Sequence, residues 1–333
     1  MNSTTDDAFL HRLQSIPQTL YNTVGFILFI IGTFGNLLDI ICFSRLKSLN
    51  TLSSSLFLLA SFFGSELVLI TGLLQRFIFG VTGNDLLFDS LFICKARSML
   101  KPASATFSMT CVCFAAMDRY FFSCLDLRRQ RRITLKQTRL IITIAVILCL
   151  IIFSPYAVFY SLTTPTSCSV VNSIFAYIQP CLSLIFYNLA PVIILSTICA
   201  LTWRNLGQQV AFYLRGNNRY YDQVTRLIIG QIIVIVVTTF PVVIWLIYSI
   251  ATKKISKNSV RLAQEAIINS ACGIAAHCPY AMMFYVYLAI SPVFRRNVKR
   301  LFLQTNQVLP LKNVELVRNS ILQLKPRHTI STI

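Results

Sequence analysis

The sequence predicts an all-α integral membrane protein, a bundle of seven membrane-crossing helices with a short amphipathic eighth. Three observations predict it. Hydrophobic residues make up 55% of the 333-residue chain and charged residues only 12%, whereas a soluble domain carries roughly 45–50% and about 25%. Mean hydropathy is +0.67. The apolar residues fall into seven long runs, each at least as long as the ~20 residues that cross ~30 Å of hydrocarbon. A soluble surface, a disordered chain and a disulfide scaffold are excluded together, because lipid must replace water over much of the surface.

In order, the runs are Tyr21–Phe43, Leu52–Leu74, Leu91–Phe122, Leu140–Tyr160, Ile174–Trp203, Val224–Ile250 and Leu262–Leu288. Tyr21, Tyr160, Trp203 and Trp245 lie toward their ends, as amphipathic rings at an interface do. Gln75 and Arg76 stop the second run. The third is longer than a straight crossing requires and is expected to tilt or protrude. From Ser291 to Leu303, Val293, Phe294, Leu301 and Phe302 stand among basic residues, the pattern of a helix lying on a leaflet. The domain plan is therefore an extracellular segment 1–20, a bundle 21–290, an amphipathic helix 291–303 and a polar cytoplasmic tail 304–333.

Lys and Arg number 30 against 11 Asp and Glu, a formal charge of +19. Nucleic acid is not the implied partner, because the basic residues lie in short segments between apolar runs. Those after runs one, three, five and seven hold Arg45, Lys47, Arg128, Arg129, Arg131, Arg132, Arg204, Arg215, Arg295 and Arg296. The other side has fewer and is diluted by Asp6, Asp7, Asp85 and Asp89. The positive-inside rule puts the N-terminus outside and the C-terminus in the cytoplasm. The sequon Asn2-Ser3-Thr4 fits that direction. The first twenty residues lack an apolar h-region, so the first run is expected to act as its own insertion signal.

Eleven Cys, mostly inside apolar runs, read as small core hydrophobes. No CxxC pair occurs, and the three His lie far apart, so no metal site is expected. Cys94 at the outer end of run three and Cys168 in the loop Leu162–Ser173 are the favoured disulfide in an oxidising lumen, with Cys181 as competitor inside run five. Asp118-Arg119-Tyr120 lies at the inner end of run three. The 25 residues from Cys94 to Arg119 rise about 37 Å as helix, so the two features face opposite compartments. Arg119 can be held by its acidic neighbour, released toward a cytoplasmic partner, or simply snorkel to water.

Taken together, residues from about 20 to 303 resemble the rhodopsin-like (class A) G-protein-coupled receptors. Gly35-Asn36 is similar to that family's Gly-Asn pair in span one, and Asp118-Arg119-Tyr120 to its Asp-Arg-Tyr motif at the family's distance from Cys94. Pro191 and Pro241 resemble its prolines in spans five and six, and Tyr287 resembles the tyrosine that ends its Asn-Pro-x-x-Tyr motif, with Ser291 and Phe294-Arg295 following. The departures are specific. Leu59-Ala60-Ser61-Phe62-Phe63-Gly64 lacks the family's sodium-binding carboxylate, for which Asp39 or Glu66 could substitute. Thr238-Thr239-Phe240-Pro241 lacks the tryptophan switch, Met283-Phe284 replaces Asn-Pro, and span four lacks its tryptophan.

The resemblance implies an extracellular ligand, a heterotrimeric G-protein and a plasma-membrane location, with no cofactor and no catalysis. Where monoamine receptors carry an Asp, this chain has Lys101, seven residues below Cys94, which argues against an amine ligand. The retinal-bearing lysine position of opsins holds His277, and no Lys occurs from Leu262 to Leu288. Lys101, Arg97, Glu66 and His277, with Tyr280 or Gln179 near them, could line one polar cavity. Polar residues inside spans mark function by default, and this set favours a peptide or an acidic small molecule. The bland alternative pairs Lys101 and Arg97 with Glu66. Inside, Arg119 would meet the G-protein, and Asp222 would hold it at rest, because the family's acidic partner position is Tyr221.

A transporter or channel is the second functional class. It needs a polar lining row or broken Gly-rich spans at the midplane, and neither is present. An intramembrane enzyme is the third, and it lacks Gly-x-Ser-x-Gly, His-Glu-x-x-His or paired aspartates at membrane depth.

Overall fold

A computed structural model describes residues 3–45, 52–82, 90–124, 133–164, 167–212 and 219–302; at residues 3–8, 122, 164, 167, 293, 300–302 and within 206–225 it describes the backbone only. Residues 1–297 form one compact unit, and 298–333 a second of which only the end of a helix is described.

Helix α1 (Ser3–Leu20) runs through a π-turn at Tyr21–Gly25 into α2 (Phe26–Arg45). The expected first crossing lies within this continuous rod. The helix upstream of it, α1, has no counterpart in the sequence reading, because Asp6, Asp7, His11 and Arg12 leave it no apolar run. Span two is α3 (Ser53–Leu69), a π-turn at Ile70–Leu74 and α4 (Gln75–Thr82); span three is α5 (Leu91–Ser123). Span four is α6 (Leu135–Phe159). It starts five residues earlier than hydropathy suggested, because Thr134 and Gln137 form a reciprocal cap: the Gln137 amide donates to Thr134 Oγ1 (3.3 Å) and the Thr134 amide to Gln137 Oε1 (3.0 Å).

The outer loop expected at Leu162–Ser173 is largely a hairpin, β1 (Tyr160–Thr164) against β2 (Ser167–Val170), antiparallel with Leu162 opposite Cys168. It is the single sheet among the described residues of an otherwise helical chain. Span five is α7 (Ser173–Leu184), a π-turn at Ile185–Leu189 and α8 (Ala190–Phe212). Asn172 caps α7 by accepting from the amides of Ile174 and Phe175. Span six is α9 (Arg219–Ala251).

Span seven is broken into α10 (Ser259–Ala275), α11 (Cys278–Ala281) and α12 (Met283–Ile290), with a 56° bend before α12. The proline that interrupts this span is Pro279, at the start of α11 and upstream of Met283-Phe284. It has no N–H to continue the ladder. The helix tightens just before it, with the His277 amide donating to Ile274 O instead of Gly273 O. Helix α13 (Pro292–Phe302) follows at the expected place.

Five spans are long and apolar enough to cross a membrane alone, and the bent pair makes a sixth. The seventh, α5, has 33 residues, about 50 Å of helix, but Lys95, Arg97 and Lys101 lower the hydropathy of its N-terminal half. Ile233, Val237, Phe240, Ile244 and Ile247 stand exposed along one face of α9, a stripe that lipid covers. The chain is a multi-pass membrane protein. Small residues bring spans two and three together: a Cβ on Gly64 would press on Phe107 and Ser108, Ser65 and Ser108 hydroxyls lie 2.9 Å apart, and Ser108 donates to Ser61 O. Such close approach, rather than hydrophobicity, drives helix association in lipid.

Candidate functional site

The two ends of α5 carry most of the residues singled out from the sequence. At one end Cys94 is disulfide-bonded to Cys168, with Cα atoms 5.8 Å apart, and Cys181 is a free thiol. The bond ties the hairpin to span three. Beneath it Phe153, Tyr156 and Phe175 pack edge-on around Ala103 and Cys149, a buried cluster that fixes spans three, four and five to the hairpin.

One helical turn and more below the disulfide lies Lys101. A Cβ on Gly72, in the π-turn of span two, would overlap His277 Nε2 and press on Lys101 Cε. Gly72 therefore marks the point where Lys101 and His277 meet. The imidazole is held in place by the break in span seven. With the His277 amide diverted, Gly273 O accepts from His277 Nδ1 at 2.6 Å. That bond fixes Nε2 as the acceptor nitrogen of a neutral ring. His277 is 5% exposed, and Nε2 has no partner among the described residues. The charges acting on Lys101 are those of Arg76 and Arg97. Arg97 donates from Nε to Thr71 O at 3.1 Å, and Arg76 lies over the Tyr21 ring at 4.4 Å.

Lys101, Arg97 and His277 thus come together, with Arg76 added, a residue the sequence marked as the end of a span and not as part of this set. Glu66 takes a different partner: it accepts from Asn36 Nδ2 at 3.1 Å, joining spans one and two. Tyr280 is buried in α11, and the backbone oxygen of Gln179 accepts from the Tyr156 hydroxyl at 3.3 Å. Asp39 is fully buried in span one, and neither of its carboxyl oxygens has a partner among the described residues. At the same end of the bundle, Glu265 accepts from Lys257 (2.5 Å), Arg261 (3.1 Å) and the Tyr248 hydroxyl (2.8 Å). Beside it an opening of about 340 Å³ runs between spans five, six and seven, lined by Pro180, Ile250, Lys253, Lys257 and Leu262. None of those five belongs to the set anticipated from the sequence.

At the far end of α5, Arg119 Nη2 meets Asp118 Oδ2 at 2.6 Å, both side chains buried. Tyr120 is half-buried and stacks obliquely on Phe121. The space beside Arg119, walled by Ala116, Thr202, Ile228 and Ile232, is a cavity of about 10 Å³, room for about one water. The Asp222 side chain lies outside the described residues, so its pairing with Arg119 has no geometry here.

Tyr287 is fully buried, and its hydroxyl donates to Gln231 Oε1 at 2.7 Å, a bond from span seven to span six. Its ring sits 5.7–6.2 Å from those of Phe43, Phe62 and Phe294. Edge and tilted contacts of this kind add about 0.5–1.5 kcal/mol each. Gln231 was not singled out from the sequence. A lone glutamine inside the apolar run of span six is the signal that would have found it. Gly35 and Asn36 work as neighbours: a Cβ on Gly35 would press on Phe284, and Asn36 reaches Glu66.

No curated protein sequence matches the chain. The pattern of the seven-transmembrane receptors of the rhodopsin family matches residues 35–280, and the chain therefore belongs to that family of receptors.

Proposed function

We propose that this receptor transmits the binding of an extracellular ligand, a peptide or an acidic small molecule, to a cytoplasmic heterotrimeric G-protein. The observation that carries the reading is the state of the Asp-Arg-Tyr end. Arg119 is turned onto Asp118, the cavity beside it among spans three, five and six is about 10 Å³, and Tyr287 is tied to Gln231. A paired arginine and close packing beside it are what a resting receptor of this kind would show.

Signalling is then a population shift. A ligand that binds the form with its inner end open pulls the equilibrium toward that form. Opening would part Tyr287 from Gln231 and release Arg119 toward the G-protein, with Asp222 as a second resting partner and Tyr120 flanking the contact. Lys101, Arg97 and His277, with Glu66, Tyr280 and Gln179 around them, are proposed to receive the ligand. The N-terminus, glycosylated at Asn2, lies outside a plasma membrane; residues 21–290 are the receptor domain, 291–303 a helix on the inner leaflet and 304–333 a cytoplasmic tail.

The test is a ligand-library screen in cells that report cAMP and calcium, run beside Arg119→Ala. Responses that vanish with the substitution while surface expression holds support the reading; a response that survives it unchanged overturns it.

A further inference from the structure

We infer that Lys101 and His277 form the seat of a ligand carboxylate that bears a hydrogen-bond donor on its neighbouring group. That chemistry belongs to the free C-terminus of a peptide, with its last amide N–H, or to a small hydroxy- or acylamino acid. The inference rests on the receptor reading above for its biological meaning and deepens it.

Four observations combine. Lys101 is half-buried, and the charges acting on it are the cations Arg76 and Arg97. No described carboxylate forms an ion pair with it: Glu66 bonds to Asn36 and Glu265 to Lys257 and Arg261. A cation withdrawn from water and set among other cations is stabilised only by a counter-charge from elsewhere. His277 supplies the second half. Its Nδ1 proton is committed to Gly273 O, so the buried Nε2 is an acceptor, and it has no donor in the protein. A buried acceptor without a donor is unfavourable too, though less so than a missing counter-charge.

The two groups meet at Gly72, the one residue type whose lack of a Cβ lets them share that space. A donor and an acceptor side by side fit a carboxylate with an adjacent N–H or O–H. The carboxylate pairs with the Lys101 ammonium, and the neighbouring N–H or O–H donates to Nε2. A plain carboxylate fills half of the seat. An amine is repelled, and an amide brings no charge.

The experiment uses the full-length receptor in detergent micelles and reads its melting temperature. Without any probe, Lys101→Met is expected to raise it by about 2 °C or more, since an uncompensated charge is removed. Acetate, N-acetylglycine, glycolate and N-acetylglycinamide are then added at equal millimolar concentration. N-acetylglycine and glycolate are expected to stabilise the native receptor more than acetate, and N-acetylglycinamide not at all. The shifts vanish in Lys101→Met, and His277→Leu reduces N-acetylglycine to the level of acetate.

A tripeptide with a free C-terminus, compared with its amidated form, separates the sources. A larger shift than N-acetylglycine gives, confined to the free acid, marks a peptide; no gain over glycolate marks a small acid. A lower melting temperature for Lys101→Met, equal effects of acid and amide, or no shift by any carboxylate overturns the seat. Equal effects of acetate and N-acetylglycine overturn the role of His277. These readings do not involve the G-protein, so a receptor that signals through Arg119 yet ignores carboxylates loses this inference alone.

Discussion

Lys101 and Arg119 sit on one helix, α5, separated by eighteen residues, which is five turns and therefore one face. Arg119 has a carboxylate at 2.6 Å, supplied by its own neighbour. Lys101 has two cations and a neutral imidazole around it. The chain can place a counter-charge where structure needs one, as Glu265 shows between Lys257 and Arg261. The contrast is that the cation at one end of the helix is paired with a carboxylate of its own chain, whereas the cation at the other has no described carboxylate and is the one proposed above to be completed by a ligand.

The largest effect is expected from the bond that holds the incomplete end together. Cys94→Ser, in a loop closed over 74 residues, should cost about 4 kcal/mol and cut the melting temperature, and it should abolish any ligand response while the Asp118–Arg119 pair is left in place. Asp118→Asn attacks the satisfied end. Removing the counter-charge of a buried arginine costs about 3 kcal/mol, so thermal stability should fall and ligand-free signalling rise. If Asp118→Asn and Lys101→Met moved stability in the same direction, the contrast between the two cations would be broken.

Tyr287→Phe and Gln231→Leu each remove one buried hydrogen bond, about 1 kcal/mol, enough to raise basal cAMP or calcium signalling about fivefold. A double-mutant cycle sharpens this: the double variant should signal no more than either single one. The smallest effect is expected at Glu265→Gln, in a partly solvated cluster, where exposed pairs contribute little. A slight drop in melting temperature, opposite in sign to that of Lys101→Met, would confirm that the two basic clusters differ in the way described.

The satisfied end was largely legible in the sequence. Asp118, Arg119 and Tyr120 are consecutive, and a charged pair at the inner rim of a long apolar run has few places to go. Tyr287 was legible by its place near the end of the last run, but its partner was not. Gln231 comes from span six, 56 residues away, and pairing across helices depends on how they rotate against each other, which apolar runs of uniform hydrophobicity do not record. The incomplete end was half legible. Lys101 and His277 stood out as polar residues at membrane depth.

Gly72, which lets those two meet, is an ordinary glycine in the sequence and acquires its role from a π-turn that no hydropathy pattern encodes. The same holds for the opening beside Lys253, which arises where three helix ends diverge. Helix α1 escaped detection because its polar residues leave no continuous apolar run, although Leu10, Leu13, Pro17 and Leu20 recur at helical spacing on a half-buried face and its backbone continues span one without a break. Pro279 was visible, but its consequence was not: the freed Gly273 carbonyl accepts a hydrogen bond from His277 Nδ1–H and thereby sets which ring nitrogen faces Lys101.

The claim underlying all of this is that α5 couples its two ends. Linkage makes that measurable in either direction, because a partner that favours the open inner end must tighten binding at the outer one by the same factor. The direct measurement is the affinity of N-acetylglycine for the receptor in lipid nanodiscs, with and without a nucleotide-free heterotrimeric G-protein. The account predicts a gain of about fivefold or more, lost in Arg119→Ala. An affinity that stays the same with the G-protein bound would contradict it.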